Sequence, residues 1–149
     1  MAQTFPLQSL LNLMQSRSDE ATQKLGQLIA AEQSQRSRLV MLEQYRDEYA
    51  QRLRDATSQG ITQLSLRNYQ NFLGRIEDAI NQQRQVVHNS EHSTKAGQEH
   101  WRDQNKQLKA INTLSVRHDT KVKALENKQE QKILDEFSSR KYQNAEKKD

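Results

Sequence analysis

Three of the four histidines are the residues whose type and spacing come nearest to a chemical site. His88 and His92 lie four residues apart, and His100 follows eight residues later, so a helix would place the first two on one face. Such imidazoles can bind zinc, but a zinc site needs further ligands and a second shell that orients the rings. The sequence has no HExxH motif and no cysteine. We therefore interpret these histidines as part of a solvated helix and predict neither a metal nor a cofactor.

Nucleophiles and carboxylates are plentiful, but nothing in the sequence would activate them. Ser, Asp and Glu are scattered along the chain, and there is no Gly-rich phosphate loop. On exposed helices these groups lack the burial that perturbs a catalytic side chain. We predict that the protein is not an enzyme.

Basic residues are frequent in the second half of a chain whose formal net charge is +4 and whose pI is about 9.4. Such a surface would suit phosphates or an acidic protein. However, Lys and Arg alternate with Asp and Glu, and no aromatic residues are interleaved for base stacking. We favour a solvated face and predict no nucleic-acid partner; the basic positions are Arg102, Lys106, Lys109, Arg117, Lys121, Lys123 and Lys128.

The element that would carry these side chains is a long helix with one apolar seam. Apolar residues are only 33% of the 149 residues, and the chain has one proline and four glycines, which is typical of long helices. The seam repeats every ~3.5 residues and predicts a left-handed coiled coil. Eleven of its fifteen positions are apolar: Leu7, Leu11, Met14, Ser18, Ala21, Leu25, Leu28, Glu32, Gln35, Leu39, Leu42, Arg46, Tyr49, Leu53 and Ala56.

One strong break, at Gly60, divides the chain into two helices. Glycine closes a helix readily, and Thr62 or Ser65 can cap the next one. A short connection folds the second helix back antiparallel. We predict a single hairpin domain over 1–149, with a helix at 6–59, a turn at 60–64, a longer helix at 65–140 and a charged tail at 141–149. The second seam is Tyr69, Leu73, Ile76, Ile80, Gln83, Val87, Ser90, Thr94, Gly97, Trp101, Gln104, Leu108, Ile111, Ser115, His118, Val122 and Leu125.

Folding the chain at Gly60 pairs seam positions whose numbers sum to roughly 118. Leu42 then faces Ile76, and Gly97 falls opposite Ala21, where the helices can approach closely. Beyond about Ile111 the second helix is expected to have no intramolecular partner.

Polar residues interrupt the seam in one predicted layer, formed by Glu32, Gln35 and Gln83. Polar seam residues often fix the register of a coiled coil at a cost in stability. They also occur where a hairpin is loose, and the sequence does not separate the two interpretations.

Aromatic residues gather within about four turns of Gly60. Tyr49 and Tyr69 hold seam positions, whereas Tyr45 and Phe72 lie beside the seam. Rigid, partly exposed aromatic side chains are typical interface anchors. Local packing at the tip of the hairpin explains them equally well.

Four segments of the chain, two of which contain these aromatic residues, resemble the FliJ family of flagellar type III export proteins, and the resemblance spans most of the chain. They are Met-Leu-Glu-Gln-Tyr-Arg-Asp-Glu-Tyr at 41–49, Asn-Tyr-Gln-Asn-Phe-Leu-Gly-Arg-Ile-Glu-Asp-Ala-Ile at 68–80, Trp101-Arg102, and Asp-Glu-Phe-Ser-Ser-Arg-Lys at 135–141. No single motif is diagnostic, and their order and spacing carry the match.

The resemblance implies a cytoplasmic coiled coil that associates peripherally with the inner-membrane export apparatus. It implies three partners: the hexameric flagellar export ATPase, the cytoplasmic domain of the export gate protein, and the flagellar export chaperones. The family's gate-binding patch corresponds to Leu42, Tyr45, Tyr49, Phe72, Ile76 and Ala79, and the chain departs from the family pattern at Arg38 and Gln83. The ATPase-binding residues correspond to Leu13, Arg17, Lys24, Lys121 and Lys128.

The alternative is a generic coiled-coil scaffold that dimerises through the exposed part of its second helix. The first residues lack the basic and apolar regions of a secretory signal. No apolar run approaches the ~18 residues that span a membrane, so no transmembrane segment is expected.

Overall fold

Two long helices make up the protein in a computed structural model that describes residues 4–147. Helix α1 is Gln8–Gln59 and helix α2 is Gln63–Glu146, with no strand in the described part of the chain. The two helices pack against each other, which confirms the prediction of an all-α helical hairpin with a longer second helix.

The start of α1 is set by Pro6, which lies in a turn that precedes the helix. The Gln8 amide donates to the Phe5 carbonyl at 3.0 Å, and the Leu11 amide donates to the Leu7 carbonyl at 2.9 Å. Because proline has no N–H, it fits best where the backbone amide has no helical partner. The helix therefore begins at Gln8, two residues after the predicted start.

The connection between the helices turns on Gly60 and is capped by Thr62. Gly60 has a φ of 88°, a left-handed conformation that favours glycine. The Ser65 amide donates to Thr62 Oγ1 at 3.1 Å, which is the bond that an N-terminal cap supplies. Of the two capping residues that the sequence offers, Thr62 is the one used, so α2 begins at Gln63.

Helix α2 continues to Glu146, beyond the end predicted at residue 140. No glycine or proline follows Gly97 to interrupt it, and side-chain bonds between successive turns support it, such as the 3.1 Å bond from Gln131 to Asp135. The predicted charged tail is therefore helical over most of its length, and residues 148–149 lie outside the described range.

Contacts divide the chain into two compact units. We call Asp19–Asp103, which contains the connection at Gly60, the turn unit, and Met1–Ser18 with Gln104–Asp149 the terminal unit. The single domain predicted from the sequence stays a prediction.

The core of the turn unit is the predicted seam. Ile80 is fully buried, and Ala21, Ile76, Val87 and Thr94 are nearly so. Every other seam residue of this unit is half-buried. The apolar residues fill a layer one helix wide, as the spacing predicts.

The terminal unit pairs the first turns of α1 with the middle of α2. Met14 and Ser18 are buried, and the Phe5 ring lies against His118 with 5.4 Å between ring centroids. Seam positions of α2 remain half-buried as far as Val122. The expectation that α2 lacks an intramolecular partner beyond Ile111 is therefore wrong, because residues that precede α1 also pack on α2.

Candidate functional site

The aromatic residues near the connection form one cluster in the turn unit. Ring centroids of Tyr49 and Phe72 are 4.4 Å apart, those of Tyr49 and Tyr69 are 5.3 Å apart, and those of Tyr45 and Phe72 are 6.3 Å apart. Tilted and edge-on ring pairs at these separations are favourable beyond the area that they bury. The rings therefore hold one another in place across the two helices.

The helices place this cluster so that one ring faces outward. Tyr45 is 49% exposed, whereas Tyr49, Tyr69 and Phe72 are half-buried. An exposed ring held by a half-buried neighbour keeps little rotamer freedom to lose on binding, which suits an interface anchor.

The residues predicted to bind the gate share one face of each helix. Leu42, Tyr45 and Tyr49 follow i, i+3, i+7 spacing on α1, and the other three follow i, i+4, i+7 spacing on α2. Their exposure differs: Tyr45 is exposed and Ile76 is only 6% exposed, while Leu42, Tyr49, Phe72 and Ala79 are half-buried. The structure thus brings rings of the set together and places Ile76 in the core, and their role in binding stays a prediction.

One flank of the turn unit carries ion pairs between the helices. Arg36 bonds Glu91 at 2.6 Å, Arg46 lies 3.5 Å from Glu77, and Arg84 lies 3.9 Å from Glu43. Five of these six residues, Arg36, Glu43, Glu77, Arg84 and Glu91, come directly after a seam residue, so they project on the same side. Arg36 Nε also donates to Glu32 Oε2 at 3.3 Å, and this bond raises the pKa of the Arg36 guanidinium above its ordinary value.

The opposite flank carries Tyr45 and Phe72. Its side chains come directly before every second seam residue, beginning with Leu25 on α1 and Leu73 on α2, and none at these positions is acidic. The ring contact between Tyr45 and Phe72 shows that they meet across the helices. We call this set the aromatic flank: Lys24, Ala31, Arg38, Tyr45 and Arg52 on α1, with Phe72, Ala79, Val86, Ser93 and His100 on α2. The aromatic residues were identified from the sequence, but the difference in charge between the two flanks was not. That difference can be read from the residue types at the positions next to the seam.

The polar layer in the seam is a hydrogen-bonded one. The Gln83 side-chain amide donates to both the backbone carbonyl and the side-chain oxygen of Gln35, at 2.9 and 2.8 Å. These two bonds can form in only one alignment of the helices, so the layer supports the interpretation that it fixes the register. The side chain of Gln83, one of the two departures from the family pattern, is therefore hydrogen-bonded to α1.

The residues predicted to bind the ATPase are exposed and lie in both units. Leu13, Arg17, Lys121 and Lys128 belong to the terminal unit, and Lys24 belongs to the turn unit. Lys121 borders an open groove of about 490 Å³, lined by Phe5, Pro6, Leu7, Leu114, Arg117, His118 and Lys121. The groove combines an apolar floor with basic side chains. Sequence reasoning did not find it, because it depends on how Phe5 meets α2.

The described range, residues 4–147, contains no group of three or more His, Cys, Asp or Glu side chains placed to hold a metal ion. Neither helix has a stretch long and apolar enough to cross a membrane. The two packed helices and the apolar seam between them define an α-helical coiled-coil protein.

Comparison with known proteins gives the family. The profile of the family described as "Flagellar FliJ protein" matches residues 3–147. The Flagellar FliJ protein of Escherichia coli (strain K12) is 33% identical over 140 residues, covering 94% of this chain and 95% of the relative. That of Salmonella typhi is 31% identical over 140 residues, with the same coverage of each chain. The chain belongs to the FliJ family, as its resemblance in sequence predicts.

Proposed function

We propose that this protein is a non-enzymatic coupling component of the flagellar type III export apparatus. It binds the hexameric export ATPase, promotes the assembly and activity of the ring, and connects it to the cytoplasmic domain of the export gate protein. It also meets the export chaperones, and it acts in the cytoplasm at the inner-membrane export apparatus. Membership of the FliJ family supports the flagellar role, and the aromatic flank is the observation that supports a binding function.

The part of the aromatic flank around Tyr45 and Phe72 is the proposed gate-binding surface. Tyr45 offers an exposed ring whose position is held by Phe72 and, through it, by Tyr49. Such rigid aromatic anchors dominate the energetics of many interfaces. The flank offers cations and apolar groups without carboxylates, so it favours a partner surface that is apolar and acidic.

The gate proposal is tested by truncating the exposed ring. Tyr45→Ala is expected to weaken binding of the gate cytoplasmic domain by roughly 30-fold, the equivalent of an anchor worth about 2 kcal/mol. Helicity and the melting temperature should change little, because Tyr45 is half exposed and its ring centroid lies 6.3 Å from that of Phe72, the widest separation in the cluster. Calorimetric titration gives the affinity, and circular dichroism gives the stability.

Val40→Ala is the matched control for Tyr45→Ala. Val40 is 52% exposed on the same helix, but it lies outside the aromatic flank. Equal losses of affinity in the two variants, or a loss in Tyr45→Ala that follows a collapse of the fold, would assign Tyr45 to packing and not to binding.

The terminal unit, together with Lys24 of the turn unit, is the proposed ATPase-binding region. Leu13 is 45% exposed, and Arg17, Lys121 and Lys128 are exposed cations. Exposed cations of this kind steer an acidic partner and raise its association rate.

The ATPase proposal is tested with the purified chain and its cognate ATPase. The wild-type protein should bind the ATPase and stimulate hydrolysis, and the double variant Lys121→Glu, Lys128→Glu should lose both effects. A double variant at Lys106 and Lys109 of the same helix is the control for net charge. If the wild-type protein neither binds nor stimulates the ATPase, the coupling role is wrong.

A homodimeric scaffold is the second candidate, favoured by one observation. Ile133, Leu134 and Phe137 are between 59% and 66% exposed near the end of α2. Apolar side chains grouped in this way often mark an interface. Sedimentation at equilibrium separates the two candidates: a stable dimer favours the scaffold, and a monomer favours the export role.

A further inference from the structure

His88 and His92 form a pair that the proposed export function does not use. Their Nε2 atoms are 3.3 Å apart, a hydrogen-bonding distance at which the tautomers decide which ring donates, and their rings lie edge to face with 4.6 Å between centroids. Both side chains are exposed, so the two nitrogens meet in solvent on consecutive turns of α2.

The separation of the two nitrogens matches the geometry of metal coordination. Zinc–imidazole bonds are about 2.0–2.1 Å long, and two such bonds at a tetrahedral angle place their nitrogens about 3.3 Å apart. The pair therefore needs little rearrangement to ligate one ion through both Nε2 atoms. Each ring must be neutral with its remaining proton on Nδ1, which is the tautomer that leaves Nε2 free to bind.

We infer that His88 and His92 form a surface site for one divalent transition-metal ion. Imidazole ligands suit copper, nickel and zinc, and they do not suit magnesium or calcium. The inference stands independently of the proposed export function.

The surroundings define an open site with two protein ligands. Glu91, the nearest carboxylate in the sequence, is bonded to Arg36 at 2.6 Å, and Asn89 accepts a bond from Gln85 at 3.1 Å. No third His, Cys, Asp or Glu completes the set within residues 4–147. Water fills the other coordination positions, so the ion is exchangeable, and chelators remove it.

Calorimetric titration of the tag-free full-length chain tests the inference. The protein should bind one Cu²⁺ saturably and more tightly than Ni²⁺ or Zn²⁺, in the order that imidazole sites generally follow, and it should not bind Mg²⁺. His88→Asn and His92→Asn should each weaken Cu²⁺ binding by roughly tenfold or more, because each removes one of only two protein ligands.

His100→Asn is the matched control, since His100 lies on the same helix with no histidine four residues away. Its affinity for Cu²⁺ should equal that of the wild-type chain. At the same concentration, Cu²⁺ should also raise the melting temperature of the wild-type and His100→Asn proteins more than that of the other two variants, because an ion that binds only the folded helix stabilises it in proportion to its affinity. The inference is overturned if Cu²⁺ does not bind saturably, or if it binds equally well to a variant lacking both His88 and His92.

Discussion

Replacing Gly97 by alanine tests how closely the two helices of the turn unit approach. A Cβ atom built on Gly97 would lie 2.5 Å from Leu28 Cδ1 and 3.7 Å from Leu25 Cδ1. A Cβ atom on Gly26 or Gly74 would meet nothing within 4 Å. The same substitution therefore enters a tight contact at one site and open space at the other two.

The expected free energies follow from two opposing effects. Alanine stabilises a helix interior by about 0.5–1 kcal/mol relative to glycine, and Gly74→Ala should show this gain in full. At Gly97 the added methyl group overpacks the contact, which costs about 1–3 kcal/mol. The cost should fall near the lower end, because Leu28 Cδ1 is the tip of a flexible, half-buried side chain. We expect Gly97→Ala to be about 1–2 kcal/mol less stable than Gly74→Ala.

Thermal unfolding followed by circular dichroism measures the difference. For a chain of this length, 1 kcal/mol corresponds to roughly 2–4 °C in the melting temperature. Gly26→Ala serves as a second control on the same helix as Leu28. If Gly97→Ala raises the melting temperature as much as Gly74→Ala does, the close approach at Gly97 does not exist and the packing described for this part of the seam is wrong.

Two further substitutions probe the connection and the core. Gly60→Ala should lose about 1–2 kcal/mol, because an L-residue at a φ of 88° is strained, and the midpoint of urea unfolding should fall. An unchanged midpoint would exclude the left-handed turn. Ile80→Ala should cost about 2–5 kcal/mol, since the side chain is fully buried. Leu125→Ala, at a seam position that is 58% exposed, should stay within about 0.5 kcal/mol of the wild type in the same assay.

The seam was predictable because its spacing reports burial directly. Apolar residues on the inner face of a two-helix coil repeat every ~3.5 positions, and this repeat is visible in the sequence without any knowledge of the tertiary structure. All positions from Leu11 to Ala56 in the first series, and from Tyr69 to Val122 in the second, are buried or half-buried. The connection was predictable for a similar reason, since a left-handed turn calls for glycine.

Register was predictable near the connection and less so away from it. The fixed sum of 118 places Gln35 opposite Gln83, and these two residues are hydrogen-bonded. The same sum places Ala21 opposite Gly97, but the contacts expected for a side chain at Gly97 are with Leu25 and Leu28. A fixed sum assumes that both helices advance in step, and sequence alone does not show where small residues let them shift.

The burial of Ile76 separates binding from packing within the predicted gate-binding set. Ile76 is 6% exposed and contributes to the core, whereas Tyr45 is 49% exposed, so a partner can contact Tyr45 directly but reaches almost none of Ile76. Ile76→Ala should therefore lower the free energy of unfolding by about 2–5 kcal/mol, seen as a lower unfolding midpoint. Its affinity for the gate domain, measured on folded protein at low temperature, should fall less than that of Tyr45→Ala. The opposite ranking, with Ile76→Ala the weaker binder at full helicity, would mean that the helices separate when the gate binds.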